Sequence, residues 1–418
     1  MNGNVKFGLT PGRCLILCAL SALIGCALFL FSASGAEATL ALGWFPFTQL
    51  QGLTADADGL TPPGVCLAFA ALPAVGFLLL LILNPANAAA GMGNMLSNGI
   101  RDMGNVLYRS TPLIMTGLCI AFAYKVGLFN IGASGQYTMG AFFALVCAIG
   151  FQMPWYLCLL ASILGGALWG VFPGFFKAKF NVNEVLTGIL FNWIGMNLVN
   201  FLVANLTFAG HTMLSTSWGG SASDRTAALA DANPSAILPR LGLDKLLSYS
   251  YMNIGFLLAI VVAIVVWVVL RKTVFGYELQ ACGLNRNAAE YAGINAQKNI
   301  VLSMVISGAL AGLGGGFYFL AGGGQLNLLQ QISSMGFDGI SVALLASCNP
   351  IACIFSAIFV SYLNLGGIAM QSQGYATEAT QIVISVIIYL AAFSLLMQSK
   401  IAGLLKRSAQ RKGKGDAA

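Results

Sequence analysis

The feature that most constrains this chain is a series of apolar runs, each about as long as a membrane-spanning helix. An α-helix that crosses a bilayer needs roughly 20 apolar residues at a rise of about 1.5 Å each. Such runs lie near residues 14–33, 64–84, 111–128, 134–151, 154–176, 184–208, 252–270, 300–321, 339–366 and 380–398. Because 58% of the residues are hydrophobic and only 8% are charged, a water-soluble core could not hide this surface. The sequence therefore predicts an all-α, polytopic membrane helix bundle.

Basic residues indicate which helix ends face the cytoplasm. Pairs of basic residues directly follow two of the runs, and these are Lys177 with Lys179 and Arg271 with Lys272. Cytoplasmic ends of membrane helices carry an excess of Lys and Arg, so the net charge of +7 favours a membrane topology rather than nucleic-acid binding. By parity, residues 210–250 are predicted to be external, and the basic tail 401–418 is predicted to be cytoplasmic.

The predicted number of membrane crossings disagrees with the charge pattern at both ends of the chain. Counting back from the basic pair at Lys177 puts the N-terminus outside, whereas Lys6 and Arg13 favour the cytoplasm. A cytoplasmic tail requires the run 339–366 to re-enter or to cross twice, which a break at Asn349 and Pro350 would allow. The prediction is therefore about nine to eleven transmembrane helices with broken or re-entrant segments.

These patterns divide the chain into three parts. Residues 1–60 are predicted to be an N-terminal extension with an extra transmembrane helix and an external segment. Residues 64–400 form the main transmembrane domain, and residues 401–418 form the tail. The start of the chain also fits a signal peptide, but its apolar run is longer than the usual signal core, which favours an uncleaved first helix.

Two polar breaks interrupt the apolar pattern at membrane depth. One spans residues 130–136, and the other is Asn349 with Pro350. Irregular backbone inside a membrane is tolerated only where protein or a water-filled cavity satisfies its polar groups. Both breaks are therefore candidates for the lining of a transport path.

A polar segment rich in Gly and Ala, residues 273–299, separates two predicted cytoplasmic helix ends. Either Asn285 or Asn287 can cap a short helix there, and Gly283 and Gly293 can supply helix ends. The pattern predicts a helix-turn-helix whose small Ala face could dock in another protein's groove. An ordinary surface loop is the alternative. The candidate contact residues are Gly276, Glu278, Gly283, Asn285, Ala288, Ala289, Glu290 and Gly293.

This segment is similar to the ATPase-coupling loop of permeases in the ribose, nucleoside and branched-chain amino-acid branch of ABC importers. Four more segments resemble that family in the same order, and together they cover most of the chain from about residue 64. They are STPLIMTGLCIAFAYKVGLFNIGASGQYTMGA from Ser110, NVNEVLTGILFNWIG from Asn181, LSMVISGALAGLGGG from Leu302 and FDGISVALLASCNP from Phe337. The FNIGxxGQ form resembles nucleoside-importer permeases more than the ribose branch. One departure is Ser134, where the family usually has Glu.

The resemblance implies a non-enzymatic permease subunit in the cytoplasmic membrane of a bacterium, moving nucleosides inward. It implies contact with membrane lipid and three kinds of protein partner, namely ATPase subunits, a second permease that is identical or homologous, and an external substrate-binding lipoprotein. It implies no cofactor or metal in this chain, since the partner ATPase binds ATP and Mg²⁺. No GxxxxGK[ST] phosphate loop occurs in the sequence, in agreement with that division of labour. Simple sugars such as ribose or galactose, or a furanose signal, are the alternative cargoes, with branched-chain amino acids further behind.

The resemblance and the two breaks together give a set of candidate path residues with polar or aromatic side chains. They are Asn130, Ser134, Gln136, Asn183, Glu184, Asn192, Phe337, Asp338 and Asn349. Neutral amides both donate and accept hydrogen bonds, which suits a base or a sugar. For each Asn the alternative is an interhelical hydrogen bond that holds the bundle together. A secondary transporter would need deep carboxylates, which are scarce here, and a membrane enzyme would need an HExxH or GxSxG motif, which the sequence lacks.

Overall fold

The computed structural model describes residues 77–389, except residues 83, 86, 209, 219, 221–222, 244–250 and 329. Contacts divide the chain into two compact units. The larger is residues 102–361, and the other combines the described residues before 102 with those from 362 onward. The predicted N-terminal extension (1–60), the run 14–33 and the tail (401–418) lie outside the described residues.

Helices of different lengths make up most of the larger unit, and the last of them continues beyond residue 361. They are α2 (Met103–Tyr124), α3 (Ala133–Leu145, prolonged by a π-helical turn Val146–Gly150), α4 (Trp155–Phe180), α5 (Glu184–Asn205), α7 (Ile254–Lys272), α8 (Val274–Leu284), α9 (Arg286–Tyr291), α10 (Ala296–Phe319), α11 (Met335–Leu345) and α12 (Pro350–Met370). The shorter α1 (Ala88–Arg101) precedes them, and α6 (Leu229–Ala232) is a single turn.

Seven helices within the described residues are long and apolar enough to cross a membrane. They are Met103–Tyr124, Ala133–Gly150, Trp155–Phe180, Glu184–Asn205, Ile254–Lys272, Ala296–Phe319 and Pro350–Gln373. Two shorter apolar helices, Met335–Leu345 and Thr377–Tyr389, accompany them. The prediction of a polytopic helix bundle with broken segments is confirmed. Helix α1 was not among the predicted runs, because Asn, Ser and Gly interrupt its apolar pattern.

The centre of the larger unit is α10, which packs along α4 with almost no side chain between the two backbones. A Cβ on Gly166 would overlap the Gly308 carbonyl and the backbone of Gly312. On the neighbouring face of α10, a Cβ on Gly140 of α3 would also overlap Gly312. In lipid, helices associate through close van der Waals packing, which small residues permit. These glycines therefore fix the relative position of α3, α4 and α10.

One end of the larger unit carries basic residues and is called the basic end below. Helix α4 finishes there with Lys177 and Lys179, and α7 finishes there with Arg271 and Lys272. Helix α10 begins at the same end, since Gly174 near the end of α4 packs on Val301. Cytoplasmic orientation of this end remains a prediction from the charge pattern.

A segment of short elements covers the opposite end of the unit. It contains a hairpin of two-residue strands, β1 (Thr207–Phe208) and β2 (His211–Thr212), followed by α6 and 3-10 turns. The buried Asn233 amide donates to the carbonyls of Ala148 and Met153 at 2.9 and 3.0 Å, where α3 passes into α4. The amide of Leu238 donates to the carbonyl of Leu320 at the end of α10. The segment is therefore fastened to three helix ends.

The predicted run 339–366 is two helices. Ser347 and Cys348 adopt left-handed backbone with φ of 49° and 54°, and Pro350 begins the next helix. The Asn349 side chain accepts a hydrogen bond from the Ile351 amide at 3.1 Å and so caps α12. This confirms the predicted break. Helix α11 has 11 residues, or about 16 Å of length, which is half of a bilayer core.

The smaller unit is described only in part, and aromatic side chains connect its two pieces. The Tyr375 hydroxyl donates to the Asn84 carbonyl at 3.1 Å, and the Asn87 amide donates to the Gln373 carbonyl at 3.0 Å. Gly91 of α1 lies against the Tyr375 ring. The chain on either side of the larger unit thus folds together.

Replacing Gly166 by Ala is expected to lower the free energy of unfolding by about 1–3 kcal/mol, because the new methyl group would meet backbone atoms that cannot move aside. Thermal unfolding of the purified protein in detergent would show a lower midpoint. Ala167→Val is the matched control, since it adds methyl groups at the next, half-exposed position of α4. Equal midpoints for Gly166→Ala and the wild type would contradict this account of the packing.

Candidate functional site

Asn130 and Gln136, from the first predicted break, lie together in a buried polar network. The Asn130 amide donates to Gln136 Oε1 at 2.8 Å and to Ser307 Oγ at 2.7 Å. The Ser307 hydroxyl donates to the Cys119 carbonyl at 2.8 Å. The side chains of Asn130, Gln136 and Ser307 have no exposed surface. The network therefore joins α2, α3 and α10 and satisfies its own polar groups.

Asn192 of α5 holds the turn that leads into α3. Its Oδ1 accepts a hydrogen bond from the Gly135 amide at 2.7 Å, and its Nδ2 donates to the Ile131 carbonyl at 3.0 Å. Gly188, one turn earlier on α5, lies directly against Gly132. Both the oxygen and the nitrogen of the Asn192 side-chain amide bond to this backbone. Asn192 therefore fixes the irregular stretch that carries Asn130 and Gln136.

Ser134 lies between these elements and α11. It is fully buried, and within the described residues no group forms a hydrogen bond with its Oγ. A Cβ on Gly336, in the first turn of α11, would overlap Ser134. Consecutive residues of α3 therefore face different helices, because Ser134 packs on α11 while Gly135 packs on α5. A Glu at position 134 would require these helices to separate.

Asn183 and Glu184 do not join the network. Asn183 is exposed and caps α5, accepting a hydrogen bond from the Val185 amide at 2.9 Å. Glu184 pairs with Lys177 at 3.0 Å, across the turn between α4 and α5 at the basic end. In this conformation both residues stabilise a helix terminus.

The three remaining candidates occupy two separate places. Phe337 and Asp338 lie in the first turn of α11, beside Gly336 and hence near Ser134. Phe337 is 41% exposed, and Asp338 is half-buried. Asn349 is buried and serves as the cap of α12, so the structure does not bring it to the α11 first turn.

The segment 273–299 forms α8, α9 and the start of α10, as the helix-turn-helix prediction requires. Asn285, rather than Asn287, is the cap of α9 and accepts a hydrogen bond from the Ala288 amide at 3.1 Å. Gly293 follows α9 with a φ of +84°, which favours glycine. Glu278 accepts a hydrogen bond from the buried Asn299 at 3.2 Å. Glu290 pairs with Arg286 at 3.1 Å, and Gly276 packs against the end of α7.

Gly283 was predicted to supply a helix end, but the structure places it differently. It lies inside the last turn of α8 instead of ending the helix, and a Cβ there would overlap the Lys125 carbonyl. The turn at Lys125–Gly127 follows α2, and Gly127 has a φ of +76°. Asn130 follows three residues later. Helix α8 is therefore in backbone contact with the turn that leads to the buried network.

The predicted Ala face of this segment needs a correction. Ala288 is exposed, but Ala289 is only 4% exposed, because α9 turns that side toward the bundle. The outer surface carries large side chains instead, and Leu284 and Tyr291 are 89% and 94% exposed. Sequence reasoning missed both, since a single apolar residue in a polar segment has no distinctive pattern.

Other residues of the site were also missed. Ser307 and Cys119 belong to apolar helical runs and have no local signal, so only the three-dimensional contact reveals their role. A polar stretch between α10 and α11 includes Gln330, Gln331 and Ser334, all exposed. The adjacent side-chain amides of Gln330 and Gln331 could have marked this stretch as a candidate from the sequence. Within the described residues, no group of three or more His, Cys, Asp or Glu side chains could hold a metal ion.

Comparison with known proteins gives one family and several relatives. Residues 103–392 match the family described as "Branched-chain amino acid transport system / permease component". The chain is 32% identical over 343 residues to the guanosine ABC transporter permease protein NupP of Bacillus subtilis, covering 80% of this chain and 94% of the relative. No solved structure matches the chain.

Two other relatives differ in their named cargo. The nucleoside ABC transporter permease protein NupB of Lactococcus lactis is 36% identical over 327 residues, which cover 76% of this chain and 87% of the relative. A glucose ABC transporter permease protein of Haloferax volcanii is 29% identical over 310 residues, which cover 71% of this chain and 78% of the relative.

Replacing Asn130 by Leu is expected to lower the free energy of unfolding by about 1–3 kcal/mol, because buried Gln136 and Ser307 lose their shared donor. The thermal unfolding midpoint in detergent measures this loss. The matched control is Asn197→Leu on α5, an exposed position whose amide donates to a carbonyl of its own helix. A midpoint for Asn130→Leu as high as that of the control would show that the network contributes little.

Proposed function

Because this chain belongs to the family of permease components of branched-chain amino acid transport systems, we propose that it moves nucleosides inward as one permease subunit of an ATP-driven importer. The family is that of non-catalytic permeases of the bacterial plasma membrane, in which separate ATPase subunits hydrolyse ATP. The observation that carries the choice of cargo is the similarity, over most of the chain, to relatives named for guanosine and for nucleosides.

The buried network supplies the chemistry for such a cargo. Asn130, Gln136 and Ser307 offer neutral donors and acceptors at the centre of the bundle. Neutral groups can bind the edge of a base or the hydroxyls of a ribose without holding a buried charge. The side chains bond one another in this structure, so cargo would replace these bonds when the helices separate. Ser134, Asp338 and Phe337 complete the proposed path beside α11.

The segment 273–299 is the proposed contact with the ATPase, on the cytoplasmic side. Leu284 and Tyr291 present a large exposed apolar surface at the basic end, which suits burial against a protein partner. The partner would bind ATP and Mg²⁺. Movement of the ATPase would be transmitted to the path through the backbone contact of Gly283 with the turn at Lys125. That turn leads directly to Asn130.

Two further partners complete the proposed complex. A second permease, identical or homologous, would enclose the path together with this one. A substrate-binding lipoprotein would deliver cargo to the external segment 210–250, which is fastened to the helix ends by Asn233. Because delivery and release must both be fast, only weak cargo sites are expected inside the permease.

Simple sugars are the second candidate cargo. The similarity to a glucose permease protein of Haloferax volcanii, over 71% of this chain, is the observation that favours them. A network of neutral amides can bind sugar hydroxyls as well as a base.

ATP-dependent uptake by the reconstituted complex of permeases, ATPase and binding protein tests the cargo. Labelled guanosine, adenosine and uridine should accumulate, whereas ribose and glucose should not. The control is the same complex with an ATPase variant that cannot hydrolyse ATP. Uptake of a simple sugar alone would keep the importer and reject nucleosides, and uptake without ATP hydrolysis would reject the ATP-driven mechanism.

Replacing Gly283 by Val is expected to reduce ATP-driven uptake by about tenfold or more, because the side chain would push α8 away from the Lys125 turn. Co-purification of the ATPase should persist, since a side chain at position 283 would point toward that turn. Asn287→Ala, an exposed change on α9, is the control. Normal uptake by Gly283→Val would eliminate this contact as the route of coupling.

A further inference from the structure

The chain between α10 and α11 is neither helix nor strand for most of its length. Near its start, it pairs with the segment that covers the end opposite the basic one. The Thr226 amide donates to the Leu326 carbonyl at 2.9 Å, and the Leu328 amide donates to the Asp224 carbonyl at 2.7 Å. Residues 330–334, which come next among the described residues, form neither helix nor strand.

The far end of this chain lies at the middle of the bundle. Gly336 lies against Ser134, two residues from Gln136, which shares its donor Asn130 with Ser307. Ser307 is 11 residues from the start of α10 at Ala296 and 12 from its end at Phe319 (307 − 296 and 319 − 307). The middle of a spanning helix lies near the bilayer midplane, so Gly336 does too.

Residues 330–334, called the descending segment below, therefore cross the half of the membrane opposite the basic end. An extended chain advances about 3.3 Å per residue, so the eight steps from Leu328 to Gly336 can easily cover the ~15 Å of half a bilayer core. Helix α11 crosses part of the other half.

The descending segment exposes polar side chains at this depth. Gln330, Gln331 and Ser334 are exposed, and Phe337 on the first turn of α11 is 41% exposed. The exposed face of α4 differs, since it shows Leu160, Leu164 and Leu168. Leucine faces suit lipid, whereas irregular backbone with exposed polar side chains is tolerated only beside protein or water.

We propose that the descending segment lines the outer half of the substrate path, with Gln331 and Ser334 binding the hydroxyls and base edge of a nucleoside and Phe337 stacking on its base. This inference rests on the proposed nucleoside import. The residues provide uncharged donors and acceptors next to one exposed aromatic ring, which matches a flat base joined to a polar sugar. Cargo passing along the segment reaches Ser134 and then the buried network.

Cysteine accessibility tests the lining in the complete transporter in vesicles. A charged maleimide that does not cross membranes is added from outside to Ser334→Cys and Gln331→Cys, with labelling of the wild type subtracted. Both thiols should react at least about tenfold faster than two controls, because a thiol ionises and reacts only where water reaches it. The controls are Ser162→Cys, which is fully buried, and Leu164→Cys, which is 60% exposed on a leucine face.

Protection by cargo separates the possible results. Excess guanosine should slow labelling of Ser334→Cys, whereas ribose should not. Labelling as slow as that of Leu164→Cys, or labelling that guanosine leaves unchanged in a complex that still imports guanosine, would overturn the proposal. Protection by ribose alone would support the lining and reject nucleosides as the cargo. Because Ser334→Cys changes one atom, loss of folding does not complicate its result.

Discussion

The close backbone contact of α4 and α10 is the constraint on which the rest of the structure depends. Lipid gives helices no hydrophobic reason to associate, so the bundle relies on van der Waals contact and buried hydrogen bonds. The glycines at 166, 308 and 312 bring the two backbones together, and Gly140 lets α3 join them. This arrangement fixes α10 so that Ser307 reaches Asn130 in the turn before α3. The polar network thus depends on residues that have no polar side chain.

A short path of contacts connects the surface of the basic end to that network. Helix α8 touches the turn after α2 through Gly283, and five residues of chain lead from Lys125 to Asn130. On the other side, Asn192 holds the same backbone from α5. The irregular stretch before α3 is therefore held between two helices. Movement of either helix would alter the hydrogen bonds at the centre of the bundle.

Sequence patterns predicted the helical class, most spanning segments, the break at Asn349 and the polar cluster at residues 130–136. Those features depend on local composition, because lipid accepts apolar helices and excludes polar groups that lack hydrogen-bond partners. The partners of the cluster could not be predicted, because Ser307 and Cys119 are ordinary members of apolar helices. The same limit applies to Ala289, since its burial depends on how α9 rotates against the bundle. Asn183 was predicted to line the path because its side chain is a neutral amide. Its role as a cap depends on where α5 begins.

The complete pairing of the Asn130 network has an electrical consequence. A bacterial membrane stores energy as an ion gradient, and a continuous file of water through a protein would let protons leak across it. The side chains of Asn130, Gln136 and Ser307 hydrogen-bond to protein groups and have no exposed surface, so water does not reach them in this arrangement. A bundle whose α2, α3 and α10 are joined by such bonds would therefore also limit the leak of protons through its centre.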